Sequence, residues 1–156
     1  MSGTRISPAG TPEQIQQVRR LFREYVEATG ACECFAGFGE EIAGLPGPYG
    51  PPTGQLLLAE LDGRSAGCVA LHRLDDGISE MKRLYVRPAF RGRNLGRQLA
   101  EAIITEARRI GYRAMRLDTL SSMVAARGLY QSLGFRAIPR YNNNPGAGVL
   151  YLELKL

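Results

Sequence analysis

The stretch RGRNLGRQL, from Arg91 to Leu99, holds three arginines, two glycines and an asparagine and then runs into apolar helical spacing. Amides at a helix N-terminus lack intrahelical partners, and the helix dipole places about half a positive charge there. Gly92 and Gly96 let the backbone approach a ligand closely, and Arg91, Arg93 and Arg97 add full charges. The chemistry this predicts is anion binding. Charges that converge on one turn suit a pyrophosphate better than a nucleic-acid backbone. A solvated turn is the plain alternative, and local features leave both open. The stretch lacks the Gly-Lys-Ser/Thr of a Walker loop and the G-x-G-x-x-G of a dinucleotide fold. Asn94 stands where a third glycine is expected. Asparagine accepts left-handed backbone angles and also caps helices, so Asn94 is expected at φ > 0 or as a helix cap.

Other chemistries have fewer residues to work with. The chain has three cysteines, Cys32, Cys34 and Cys68, and one histidine, His72. That count is poor for zinc and for a disulfide framework, so free thiols and no metal are expected. The net charge of +5 is open to a nucleic-acid partner, a phosphorylated small ligand or solubility alone, and no nucleic-acid motif accompanies it. The N-terminus has no apolar signal region, and no apolar run approaches the roughly 20 residues of a membrane span. One cytoplasmic domain over residues 1–156, with no membrane partner, is the expectation. A homodimer is left open.

The elements that must position the loop can be read in order. TRIS is a short first strand. Thr11 caps a helix with Pro12 at its first position, and Ile15, Val18, Leu21, Phe22, Tyr25 and Val26 form its apolar face, ending near Gly30. A short helix is expected at 39–43, and four prolines from Pro46 to Pro52 force an extended or turning path. Strands QLLLAEL, SAGCVALHRL and ISEMKRLYV follow, joined by turns at Asp62-Gly63 and Asp76-Gly77. The helix after the loop buries Leu95, Leu99, Ile103, Ala107 and Ile110 and ends at Gly111. RAMRLDTL is a strand. Ser121 or Ser122 caps a helix with Leu129 and Tyr130 on one face and Gly134 beyond its end. Strands at 135–138 and in GVLYLELKL close the chain. This is α/β: a mixed, mostly antiparallel sheet with helices on both faces.

YVRPAFRGRNLGRQL, with LYQSLGF some 40 residues later, resembles the GNAT superfamily of acyl-CoA-dependent N-acetyltransferases. That family's loop reads Gln/Arg-x-x-Gly-x-Gly/Ala, matched here by Arg91, Asn94 at the middle glycine, and Gly96. Its second signature is matched by Leu129-Tyr130 and Gly134-Phe135. The likeness covers Leu56 to Phe135 and is weak before it. It implies acetyl-CoA as cosubstrate and a central strand pair that splays apart. The amides of Gly92, Arg93, Asn94, Leu95, Gly96 and Arg97, with the Arg91 side chain, would hold the pyrophosphate. The backbone of Leu84, Tyr85 and Val86 would bond the pantetheine arm as an added strand. Met123 stands where the family often has an asparagine on that arm.

The implied reaction is direct attack of a primary amine, on a small molecule or peptide, on the thioester. The amine must lose a proton, the oxyanion needs a donor, and the thiolate must be protonated. Glu80 is the candidate base, because histone-acetylating members carry a glutamate at the same distance before the loop. A carboxylate of ordinary pKa about 4.3 must be raised by burial or work through ordered water. An ion pair with Lys82 is the bland alternative. The amide of Leu84 or Tyr85 is the candidate oxyanion donor, and Tyr130 the candidate acid. Residues 31–53 are expected on the acceptor side, where Glu40 and Glu41 attract a cationic amine or form ordinary helix surface. Tyr141 and NNNPGAG are expected to border the acceptor pocket, and His72 is set aside as incidental. A non-catalytic acyl-CoA sensor and a basic nucleic-acid-binding module are the rival readings.

Overall fold

Two tight turns set the sheet. Asp62 and Gly63 both take left-handed φ, 51° and 78°, as a two-residue hairpin turn requires, and Gly77 does so at 70°. The computed structural model describes residues 3–29, 37–144 and 146–156, so Cys32 and Cys34 lie outside the described residues. Around these turns β2 (Gln55–Leu61), β3 (Arg64–Asp75) and β4 (Ile78–Val86) form the expected antiparallel meander. β1 (Thr4–Pro8) pairs with β2 on the outer edge. β5 (Ala114–Leu120) lies parallel to β4, and β7 (Val149–Lys155) lies antiparallel to β5. The order is β1-β2-β3-β4-β5-β7-β6, with β6 spanning only Arg136–Ala137. The expected strand at 135–138 is shorter because Phe135 turns into the core and Pro139 cannot donate to a ladder.

Helices cover both faces. α1 (Pro12–Thr29) starts on a reciprocal cap: Gln14 N–H donates to Thr11 Oγ1 at 3.2 Å, while Gln14 Oε1 accepts from the amides of Gly10 and Thr11. It packs Val18, Leu21 and Phe22 on Leu56, Leu58, Cys68 and Ala70. The same cluster takes Ile42 of α2 (Phe38–Ala43) and Tyr49 of the 3-10 turn Gly47–Tyr49. The proline-rich stretch is therefore fastened into the core through Tyr49. On the opposite face α3 (Leu95–Ile110) presses Leu95, Leu99, Ile103 and Ala107 on Leu57, Ala59, Val69 and Met81. QLLLAEL reads as an almost continuous apolar run because both of its faces are covered.

α4 (Val124–Ser132) begins later than the serines imply. Met123 holds the cap position and gives no side-chain cap. Ser121 is drawn away, since its N–H donates to Gly148 O at 2.8 Å and its carbonyl accepts from Arg127 Nη1 at 2.9 Å. Gly111 and Gly134 end α3 and α4 in left-handed geometry, as read from sequence.

The feature that shapes the site is the meeting of β4 and β5. They pair only at Ile78↔Ala114, Ser79↔Met115 and Glu80↔Arg116, and beyond these pairs the strands part. On its other edge β4 carries a bulge: Cys68 faces Tyr85 but Ala70 faces Lys82, so three steps of β4 answer two of β3. Arg83 takes φ 60° there. Left-handed geometry costs a non-glycine residue about 1 kcal/mol or more. A bidentate pair with Glu41, at 3.0 and 2.9 Å, holds the buried guanidinium in place.

Gly67 sits opposite the end of β4. A Cβ there would lie 2.5 Å from the Tyr85 carbonyl oxygen and 3.2 Å from Leu99. Gly67→Ala is expected to lower stability by about 1–3 kcal/mol in urea denaturation. A neutral result would mean that β4 is not held against β3 as described.

Candidate active site

The parting between β4 and β5 is a continuous cleft. Its mouth is lined by the loop residues Arg91, Gly92, Asn94, Leu95, Gly96 and Arg97, facing Gly128, Leu129 and Ser132 of α4. Its middle, about 650 Å³, runs between Leu84, Tyr85 and Val86 on one side and Met123, Ala126 and Leu129 on the other. Its narrow inner end, about 30 Å³, is lined by Lys82, Leu84, Leu117, Asp118, Tyr130 and Asn144, among others.

At the mouth the chain forms a turn that carries the N-terminus of α3. Gly92 takes φ 82° and Asn94 φ 62°, and Asn94 makes no side-chain cap. Of the two expectations for Asn94, the left-handed backbone holds and the cap does not. Leu95 is buried in the core, so only its amide is left to serve a ligand. Arg91 Nε donates to Val86 O at 3.0 Å, which occupies one of the carbonyls expected to bond pantetheine. Arg97 Nη2 donates to Ser132 Oγ, tying the loop to α4. Arg93 is exposed and does not line the cleft.

Tyr130 is buried at the inner end, with its ring against Phe135 at 5.6 Å. Burial pushes its phenol well above the ordinary value of 10, and Tyr25 and Asp118 add smaller upward contributions. The group is therefore firmly protonated. The sequence reading supposed a phenol near its ordinary value.

Glu80 does not sit on a solvated surface. It is 4% exposed, and both of its oxygens are engaged. Oε1 lies 2.7 Å from His72 Nε2 and 3.8 Å from Lys82 Nζ, and Oε2 accepts from Tyr141 Oη at 2.6 Å. An ionised carboxylate has no proton to give, so His72 Nε2 carries the shared hydrogen. Burial pushes the Glu80 carboxyl up. The His72 bond, the Lys82 charge and the Tyr141 bond together outweigh it and hold the group below its ordinary value of 4.5. Of the two routes read from sequence, a raised pKa is not the one taken. Glu80 pushes the Tyr141 phenol up in turn, after the larger effect of that ring's burial.

Three partners escaped the sequence reading. His72, set aside as incidental, is paired with Glu80 and packs edge-on to Tyr49, with ring centroids 5.7 Å apart. Arg83 escaped because nothing local marks a bulge. Asp118 lines the inner end of the cleft, and its Oδ2 accepts from Asn142 at 2.8 Å and Asn144 at 3.2 Å. A polar residue in a central strand was the available signal for it. The NNNPGAG turn does border the cleft, through Asn144.

The sign of the Glu80 shift sets a pH dependence. A carboxylate held low contributes stability above its ordinary pKa and loses it as pH falls through the folded value. The stability gap between wild type and Glu80→Gln is expected to be full at neutral pH and to close below about pH 4.5. Denaturation curves at several pH values check this, and a gap that widens on acidification contradicts the assignment.

Comparison with known proteins shows the family. The acetyltransferase (GNAT) family model matches residues 15–135. An uncharacterised N-acetyltransferase of Schizosaccharomyces pombe is 38% identical over 99% of this chain and 96% of its own length. The fold overlays an acetyltransferase from Streptococcus agalactiae with a TM-score of 0.82, at 23% identity and 99% coverage of both chains. It also overlays an N-acetyltransferase from Thermoplasma acidophilum in complex with coenzyme A, at TM-score 0.77, 17% identity and 99% coverage of both. Among the described residues no helix is long and apolar enough to cross a membrane. With a family match over most of its length and a strand pair that parts beside an arginine-rich loop, the chain belongs to the GNAT acetyltransferase family.

Proposed function

We propose that the chain moves an acetyl group from acetyl-CoA to a primary amine of a small molecule or peptide by direct attack. Family membership supports acetyl-CoA-dependent acyl transfer, and the observation that carries the finer reading is the cleft. It joins an amide-rich loop, an unpaired strand edge and a protonated tyrosine in one line. In this reading the loop amides from Gly92 to Arg97, with Arg91, take the pyrophosphate. The β4 backbone from Leu84 to Val86 takes the pantetheine arm, and the thioester reaches the inner end beside Tyr130.

The chemistry then divides among few groups. The ammonium loses a proton, and the free amine attacks the thioester carbon. The Leu84 or Tyr85 amide stabilises the oxyanion. Collapse expels the thiolate, Tyr130 protonates it, and solvent restores the phenol. The net products are the amide, coenzyme A thiol and one proton. Glu80 is the base that receives the first proton. Because both of its oxygens are engaged, the proton reaches it through an intervening hydroxyl, either water or the Tyr141 phenol, which gives its own proton to Glu80 as it takes one. The strongly raised Tyr130 pKa keeps the proton in place until a thiolate forms, at some loss of driving force. In this reading the segment from Gly37 to Thr53 serves the acceptor side, supplying Glu41 to Arg83 and Tyr49 to His72.

Thiol release from acetyl-CoA across a panel of amines tests the roles. Tyr130→Phe and Glu80→Gln are each expected to lower kcat by about a hundredfold, with the KM for acetyl-CoA little changed. Wild-type kcat in both variants would refute the assignments.

A further inference from the structure

Where β4 and β5 part, carboxylates have cations beside them with one exception. Glu80 has Lys82 at 3.8 Å, Glu41 has Arg83 at 2.9 Å, and Glu24 has Arg87 at 2.8 Å. Asp118 has only neutral donors among the described residues. Its Oδ2 is held by the amides of Asn142 and Asn144. Those amides are themselves fixed: Asn144 N–H donates to Asn142 Oδ1 at 3.1 Å, and Gly146 N–H donates to Asn144 Oδ1 at 2.8 Å. The Asn-rich turn thus aims one carboxylate and leaves Oδ1 without a hydrogen bond among the described residues. The side chain is half-buried. A carboxylate oxygen that borders the cleft without a hydrogen bond is a ready acceptor for a cationic donor.

The inner end is bounded by Asp118, Lys82, Leu84 and Tyr130 and opens into the middle of the cleft, with which it shares Leu84 and Met123. A primary ammonium carries the charge that complements the free Asp118 oxygen, and an anionic head group would be repelled by it.

We propose that Asp118 is the anchor for the acceptor: Oδ1 binds the protonated nitrogen of a primary amine at the inner end of the cleft. This deepens the reading above and rests on it for the place of the acetyl donor. Asp118 selects the acceptor by charge and sets its nitrogen beside Tyr130. The Asn142–Asn144 turn works through it as a positioning device.

The test is a binding measurement with paired probes, independent of turnover. 2-Phenylethylamine and 2-phenylethanol, with n-butylamine and n-butanol as a second pair, are titrated calorimetrically into the protein saturated with coenzyme A. Wild type is expected to bind each amine about tenfold or more tightly than its alcohol. Asp118→Asn is expected to abolish that preference while keeping the wild-type melting temperature and coenzyme A affinity. The anchor is overturned if wild type shows no preference, if Asp118→Asn retains it, or if the variant loses coenzyme A binding together with it. Absence of acetyl transfer with the preference intact would instead overturn the transfer reading alone.

Discussion

Backbone amides and carbonyls inside a sheet must find partners, and β4 and β5 break that rule after three residue pairs. Each strand keeps its ladder on the far side, β4 to β3 and β5 to β7, so only the facing edges are left open. The arrangement persists because other contacts hold the strands in place: the α3 core beneath Met81 and Leu117, and the bulge at Arg83. The bulge in turn needs the Arg83–Glu41 pair, which ties α2 to the strand that lines the cleft. The opening and α2 are therefore coupled through one buried ion pair. Breaking such a pair by removing one partner typically costs about 3–5 kcal/mol.

The same economy appears in the placement of charge. Cations at the mouth are exposed or lightly held, as suits groups that meet a mobile polyanion. Deeper in, Arg83 pairs with Glu41 and Arg87 with Glu24, partners supplied by different elements, so that fixing these charges also fixes the fold. Glu80 joins β3, β4 and the turn that carries Tyr141. Tyr130 stays neutral because burial disfavours its phenolate. Tyr130 lines the inner end of the cleft together with Lys82, the cation 3.8 Å from Glu80.

Much of this was legible in the sequence where one local rule sufficed. The Asp-Gly turns fixed the meander, Thr11 and Pro12 fixed the start of α1, and the left-handed tolerance of asparagine anticipated Asn94. Features that depend on register were not legible. A second irregularity in the β3–β4 pairing, between Arg73 and Asp75, brings His72 opposite Glu80. A hairpin without it would place Arg73 there, and a slip of one residue exchanges the faces of every side chain. His72 therefore looked incidental, and of the partners of Glu80 only Lys82 could be read. The serine cap of α4 failed for a similar reason, because the competing partner, Gly148, is remote in sequence.

The most direct measurement is a crystal structure with coenzyme A bound. The account predicts the pyrophosphate within hydrogen-bond distance of amides between Gly92 and Arg97. It predicts pantetheine amide groups bonded to the open edge of β4 and the sulfur in contact with the Tyr130 hydroxyl. Coenzyme A bound outside the β4–β5 parting, or a sulfur held away from Tyr130 while the phosphates sit in the loop, would contradict it.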